Sequence, residues 1–351
     1  MSLLPEECRH TLPPLADFND AIMPSGGMPE IVGEIEPETN DYWERWPELR
    51  GSKSSSEHCK LFLGIGDGAC ANVGSKCVSP NRISVTIGTS AAARFCFPMP
   101  ISPSPLTDDF VVPTGLFCYR LDRNLVVVGG ALTDGGSVVD WARRMLSLTD
   151  EAQFQNCLNG AALLYNKDYQ SAARGKLLST PVVVPFLSGE RSPHYRDGAC
   201  FALMGLTREC GPSHFMKHCL EGVVLRMEAI LRLIRECDEI GGTPMIMVSG
   251  HAMERNALWR QMLADCTGLE VRLENLVTEA SSWGVSRLVA IALAMQEEGA
   301  TQNSATYLTD ERISSAKVSH PHLSATEGYW LVAFESQENL IDAISPLWTL
   351  E

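Results

Sequence analysis

The run KLFLGIGDGACANVGSKCVSPNRISVTIGTSAAAR, Lys60 to Arg94, decides the fold. Its first part, Leu61–Ile65, has the pattern of an apolar strand and ends in a glycine turn carrying a lone carboxylate, Asp67. Its last part sets two strand patterns, Ile83–Ile87 and Ala91–Phe97, around Gly88-Thr89-Ser90, which reads as a hairpin. A carboxylate on a bend can take a proton, and a Gly-Thr-Ser turn can offer backbone N–H groups and hydroxyls to phosphate oxygens. Two such turns at strand ends point to phosphoryl transfer from a nucleotide.

Asp67 has competing readings. Gly64-Ile65-Gly66-Asp67-Gly68-Ala69 fits the GxGxxA spacing of a dinucleotide loop. The acid that this fingerprint needs about 20 residues on is missing, and an Asp inside the loop would repel a pyrophosphate. A general base explains the acid better, because phosphoryl transfer to an alcohol needs an oriented hydroxyl and a proton acceptor. A helix cap at the start of Gly68–Lys76 explains it too, and on this motif alone the cap is favoured.

Working outward, Gly115–Leu121 and Leu125–Val128 flank Asp122-Arg123-Asn124 as a second hairpin, after a proline-rich loop at Pro98–Asp109. From Asp134 the pattern changes to helices alternating with short strands. The helices are Gly136–Leu146, Pro212–Cys237, Leu258–Cys266 and Ala280–Met295; the strands are Val182–Phe186, Phe201–Met204 and Met245–Val248. A meander followed by alternation predicts an α/β fold, a mixed sheet covered by helices. No internal repeat is present. Residues 1–58 carry many prolines, glycines and acids, with Glu48–His58 reading as a solvated loop.

The 351 residues can bury a substantial core, and 45% hydrophobic with 20% charged residues fits a globular protein. The net charge of -15 argues against a nucleic-acid or membrane partner, since phosphate backbones are held by Lys and Arg clusters. With no apolar run of membrane length and no leader pattern at the start, the expected location is cytoplasmic. Twelve scattered Cys without a CxxC pair read as reduced core thiols.

Three further motifs carry chemistry. Gly129-Gly130-Ala131-Leu132-Thr133-Asp134-Gly135-Gly136 brings four glycines to a strand-to-helix junction, which suits either close ligand approach or close packing. Ser188-Gly189-Glu190-Arg191-Ser192-Pro193 and Ser249-Gly250-His251-Ala252 both follow strands, where α/β folds bind ligands; an exposed turn and a tight connection are their plainer readings. His214 and His218 share a helix face, but Phe215 stands where HExxH needs Glu, so a metal site is not expected.

In order, GDGACANVG, VTIGTSAAAR, GGALTDGGSVVDW, PFLSGERSP, SGHAMERNALWRQMLAD and TEASSWGVSRLVAIAL resemble the FGGY family of carbohydrate kinases, from about Leu61 to Met295. The wording is most similar to gluconokinases, including the GLFCYRLD hairpin. The resemblance implies an actin-like, ribonuclease-H-type fold that binds ATP and Mg²⁺, with a sugar or sugar acid, foremost D-gluconate, as substrate. It implies Asp67 as the base that deprotonates the sugar hydroxyl. It implies nucleotide contacts at Gly88, Thr89 and Ser90 of the turn, at Gly135, Gly136 and Asp140 of the glycine-rich helix start, and at Gly250, Ala252 and Asn256 of the junction before ALWRQ. No metal-ligating residue is assigned.

There are departures from the family pattern. His251 replaces the second glycine of the adenine junction, His218 replaces a small residue, and Glu48–His58 resembles an insertion. The family's opening DxGTT turn is not found. Residues 1–78 therefore correspond to the tail of the N-terminal domain, otherwise largely missing, and 79–351 to the C-terminal domain. On that basis the chain alone is expected to show little sugar kinase activity, with a homodimer or a separate N-terminal half as partner. A non-catalytic nucleotide-binding protein derived from such a kinase is the alternative.

Overall fold

The computed structural model of the chain describes residues 23–24, 60–61, 65–99, 111–121, 125–173, 181–273, 280–297, 308, 317–322 and 325–349. Contacts divide the chain into two units, Met1–Gly66 with Leu288–Thr301, and Asp67–Arg287 with Gln302–Glu351. In the first unit, β1 (Met23–Pro24) pairs antiparallel with β2 (Lys60–Leu61). The strand expected over Leu61–Ile65 falls mostly on residues outside the described ones, and Ile65 itself is not in a strand.

The second unit is built on a mixed seven-stranded sheet. Its strands are β3 (Arg82–Ile87), β4 (Ala91–Pro98), β5 (Phe117–Arg120), β6 (Leu125–Leu132), β9 (Met245–Ser249), β10 (Val271–Leu273) and β11 (Lys317–Ser319), in the order β11-β10-β9-β3-β4-β6-β5. The expected hairpin at Gly88-Thr89-Ser90 joins β3 to β4, antiparallel from Ile87–Ala91 to Ile83–Phe95. β6 pairs antiparallel with β4 and with β5, while β9 runs parallel to β3. The turn expected at 122–124 and most of the loop at 98–109 lie outside the described residues. Val182–Val184 (β7) and Ala202–Met204 (β8) do not join this sheet. They pair with each other, a difference from the single mixed sheet that alternation suggested.

Strand alternation gives the sheet two unlike faces. One carries Ile83, Val85, Ile87, Phe95, Val126, Val128, Ile246 and Val271 into the main core. Against it lies α4 (Pro212–Arg235), which opens with proline in its first turn as expected and is buried without interruption from Met216 to Leu231. A helix enclosed on all sides must pair any charge that it carries. Lys217 meets Asp168 at 2.8 Å and Glu221 at 3.1 Å, and Arg226 meets Gln337 at 2.6 Å together with Glu338. The other face carries Ser84, Thr86, Ala92, Arg94, Cys96 and Gly129, with α1 (Asp67–Gly74) over it and the Ser75 hydroxyl 3.3 Å from that of Ser84.

Helices α2 (Gly136–Met145), α5 (His251–Arg255), α6 (Ala257–Thr267) and α7 (Ala280–Glu297) stand where the sequence expects helical structure to begin. Unexpected are α3 (Glu151–Ala173), a π-helical turn at Ala325–Trp330, and α8 (Leu331–Ile344). Of the described cysteines, all free, Cys118 and Cys200 are exposed, which corrects the expectation that the thiols are core residues. No helix among the described residues is long and apolar enough to cross a membrane.

Candidate functional site

Three backbone junctions meet at one end of the sheet. The Gly88-Thr89-Ser90 turn closes on itself, Gly88 N–H donating to the Ser90 carbonyl at 2.9 Å. Its carbonyls then accept from the start of α2: Gly135 N–H reaches Thr89 O at 2.8 Å, Gly136 N–H reaches Gly88 O at 2.7 Å, and Ser137 N–H reaches Thr89 O at 3.1 Å. Those amides, which a free helix start would offer to an anion, are therefore spent on the turn. The glycines serve this contact, since a Cβ on Gly136 would lie 2.6 Å from Gly88 O and one on Gly135 would lie 2.7 Å from Ser90 O.

The third junction is β9 to α5. Thr86 and Ser249 share a hydroxyl contact at 2.9 Å, and the chain then turns at Gly250 with φ +96°. A Cβ there would lie 2.4 Å from Ile87 O, so both the dihedral and the space demand glycine. Asn256 then caps α6, its side-chain oxygen accepting from Trp259 N–H at 3.1 Å. The loop Ser188–Pro193 braces the arrangement from behind. Asp134 accepts from Ser188 N–H at 2.8 Å and from the Ser137 hydroxyl at 2.9 Å, while Ser192 bonds Ala131 through both its N–H and its hydroxyl.

Between the junctions lies a cleft of about 440 Å³. Six of the nine residues expected at the nucleotide line it: Gly88, Thr89, Gly136, Asp140, Ala252 and Asn256. Ser90, Gly135 and Gly250 stand directly behind as backbone supports. Sequence reasoning missed the far wall, where α3 contributes Glu151, Phe154, Gln155 and Leu158. Arg143 lies 4.4 Å from the centre of the Phe154 ring and pairs with Glu151 at 3.1 Å. The Glu151 carboxyl is held below its ordinary range by the Gln155 amide first and by Arg143 after it. His251 and Arg255 also reach the cleft, which thus gathers the guanidinium groups of Arg143 and Arg255 in a chain of net charge -15.

Asp67 is not part of that lining. It is exposed at the first turn of α1, its Oδ1 accepting Gly68 N–H at 2.7 Å, and the Ser281 hydroxyl holds its carbonyl at 3.2 Å. The capping that the motif alone favoured is thus confined to the neighbouring amide. The Asp67 Oδ2 carries no such bond among the described residues. His214 and His218 are not a pair of metal ligands: His214 accepts from Gly211 N–H at 3.1 Å, and His218 contacts Glu221 at 2.7 Å. Among the described residues no group of three His, Cys, Asp or Glu is placed to hold a metal ion. That does not conflict with Mg²⁺ arriving with a nucleotide, because Mg²⁺ keeps several waters and uses one or two carboxylates beside the phosphates. Asp140 is an exposed acid on the cleft wall.

Comparison with known proteins accords with this layout. The chain is 29% identical over 260 residues to a gluconokinase of Bacillus licheniformis, covering 73% of this chain and 48% of that protein. It is 26% identical over 264 residues to a xylulose kinase of Escherichia coli, covering 75% and 47%. The chain thus spans about half the length of these curated relatives. The crystal structure of gluconate kinase from Lactobacillus acidophilus superposes with a TM-score of 0.63 at 20% identity, over 82% of this chain and 52% of that one. The fold is therefore the actin-like α/β arrangement that the sequence led us to expect. Residues 83–293, from β3 to the last turns of α7, match the C-terminal domain of the FGGY family of carbohydrate kinases, and to that family the chain belongs.

Proposed function

We propose that the chain supplies the ATP cleft and the general base of a carbohydrate kinase that phosphorylates a primary hydroxyl of a sugar acid, D-gluconate foremost. The observation that carries this reading is the convergence of three separate segments, Gly88–Ser90, Gly135–Asp140 and Gly250–Asn256, on one cleft of about 440 Å³. That volume is in the range of nucleotide-sized ligands. The exposed hydroxyl-bearing turn and the guanidinium groups of Arg143 and Arg255 suit a polyphosphate. When bound, Mg²⁺ neutralises charge on the phosphates, and Asp140 is the residue here that would face it. In this reading residues 79–351 form the nucleotide domain and 1–78 correspond to the tail of the family's N-terminal domain.

In the transfer, the acceptor oxygen forms a bond to the γ-phosphorus as the bond to the β-bridging oxygen breaks and ADP departs. The hydroxyl proton passes to Asp67, whose Oδ2 accepts no hydrogen bond among the described residues while Oδ1 is held by Gly68 N–H. Such a base contributes about 10²–10⁴-fold. Two variants test the assignment. Ala252→Leu, which fills the cleft wall, weakens MgATP binding by at least about tenfold in a calorimetric titration. Asp67→Asn leaves that binding unchanged and abolishes gluconate-dependent ADP release in a preparation, complemented by the family's N-terminal half if needed, in which the natural residue supports it. Undiminished affinity in the first variant would move the nucleotide elsewhere, and unchanged turnover in the second would return Asp67 to capping.

A further inference from the structure

Beside Asp67 lies a surface that the nucleotide cleft does not use. Arg94 of β4, Gly129 of β6 and Phe117 of β5 stand in one register row, so their side-chain positions share a face of the sheet. Gly129 leaves room for its neighbour: a Cβ there would lie 3.0 Å from the tip of the Phe117 ring, which thus leans across the strand toward Arg94. Tyr119, one step along β5 on the same face, stacks on Phe117 with ring centres 5.7 Å apart and remains 36% exposed. From above, the Arg94 guanidinium packs against Gly68, whose added Cβ would lie 2.9 Å from the Arg94 Nε. Burial pushes the Tyr119 phenol up, Arg94 beside it draws it down, and Asp67 pushes it up, so the three groups occupy one locality.

Arg94 is the unusual member of this group. It is half-buried, it forms no ion pair among the described residues, and its Nε is buried without a hydrogen-bond acceptor among them. A partly desolvated guanidinium lacking an anion is costly, and a bidentate carboxylate is the partner that its planar fork fits. The nucleotide is the less suitable source of that anion. Arg94 lies four residue steps along the chain from Ser90, a distance of roughly 13 Å, and does not line the nucleotide cleft. An adjacent aromatic pair supplies a flat apolar surface for the C–H face of a polyol.

We infer that Arg94 with Phe117 and Tyr119 forms the acceptor shelf beside Asp67, and that the Arg94 guanidinium binds the carboxylate of a sugar acid. The inference rests on the kinase reading and supplies what that reading lacks, a residue that selects an acid over a neutral sugar. The full chain is titrated by calorimetry with gluconate, with its uncharged counterpart glucitol, and with MgATP. Gluconate binds roughly ten- to a hundredfold tighter than glucitol. Arg94→Gln removes this preference while leaving glucitol and MgATP affinities unchanged, and Arg94→Lys, which keeps the charge but not the fork, retains part of it. Equal binding of the two polyols, no gluconate binding, or a loss of MgATP affinity on Arg94→Gln would each overturn the inference. Asp67→Asn keeps the acid preference, so loss of turnover in that variant and loss of selectivity in the Arg94 variants are separate results.

Discussion

Glu190 shows how one side chain can invert the reading of its motif. In sequence, Ser188–Pro193 is either a ligand loop at a strand end or an exposed turn. The structure buries its acid, since Glu190 is 2% exposed and the loop is strapped to β6 through Ser192, while Ser188 and Arg191 stay exposed. Its carboxylate oxygens find no hydrogen bond among the described residues, and only Arg196 approaches, at 3.3 Å. Burial therefore dominates and lifts the carboxyl to about 7, against the pull of Arg196 and Arg226. The folded protein keeps this proton up to about pH 7, whereas an unfolded chain releases it near 4.5. The stability it contributes is complete below the lower value and lost as pH rises through the upper one, on the order of 3 kcal/mol in all. Urea midpoints measured from pH 4 to 8 should fall more steeply for the natural chain than for Glu190→Gln; parallel profiles would mean that Glu190 titrates alike in the folded and unfolded chain.

Elements differ in how plainly the sequence announces them. The α4 pattern was legible because Leu220, Val223, Val224, Met227, Leu231 and Ile234 repeat at helical spacing behind Pro212. The α3 helix was missed although Phe154, Leu158, Ala161, Tyr165 and Tyr169 recur every three or four residues, since Gly160 and small apolar residues blur the stripe. That omission cost the site its far wall. β10 and β11 have three residues each, too few to display a period. α8 buries only Gln337, Leu340 and Ile341, which leaves no stripe to detect. Contacts between elements were not legible either, as at the crossing of α1 and α7. A Cβ on Gly284 would lie 1.8 Å from Cys70 O, and one on Gly74 would lie 1.8 Å from Ala280 O. Gly284→Ala should accordingly cost roughly 3 kcal/mol or more in denaturant unfolding. Gly66→Ala, with nothing within 4 Å of the added atom, should stay within about 0.5 kcal/mol. Equal effects would show that the crossing yields without strain.

Across the whole second unit, buried charge ties elements that are distant in sequence. Lys217 joins α4 to Asp168 of α3 and, at 2.8 Å, to the Tyr329 hydroxyl of the π-helical turn, which itself donates to Glu221 at 2.7 Å. Burial pushes Glu221 up, but Lys217, His218 and Tyr329 outweigh it and hold the carboxyl at about 2. Lys217→Met leaves two enclosed carboxyls without their cation and should cost about 3–5 kcal/mol by chemical denaturation. Adding Glu221→Gln and Asp168→Asn should recover part of that loss, and a neutral single variant would show the network to be dispensable. At this scale the order of motifs along the chain pointed to the segments proposed for the nucleotide site, whereas their convergence depends on strand order β9-β3-β4-β6, which no local pattern encodes. The mutual bonds between the Gly88–Ser90 turn and the amides of Gly135, Gly136 and Ser137 add a mechanical consequence. Neither piece can shift without breaking its hold on the other, so the two form a single stiff latch. Their amides should resist hydrogen exchange before any nucleotide is added, and a ligand would enter a wall already assembled, without an entropic charge for ordering it.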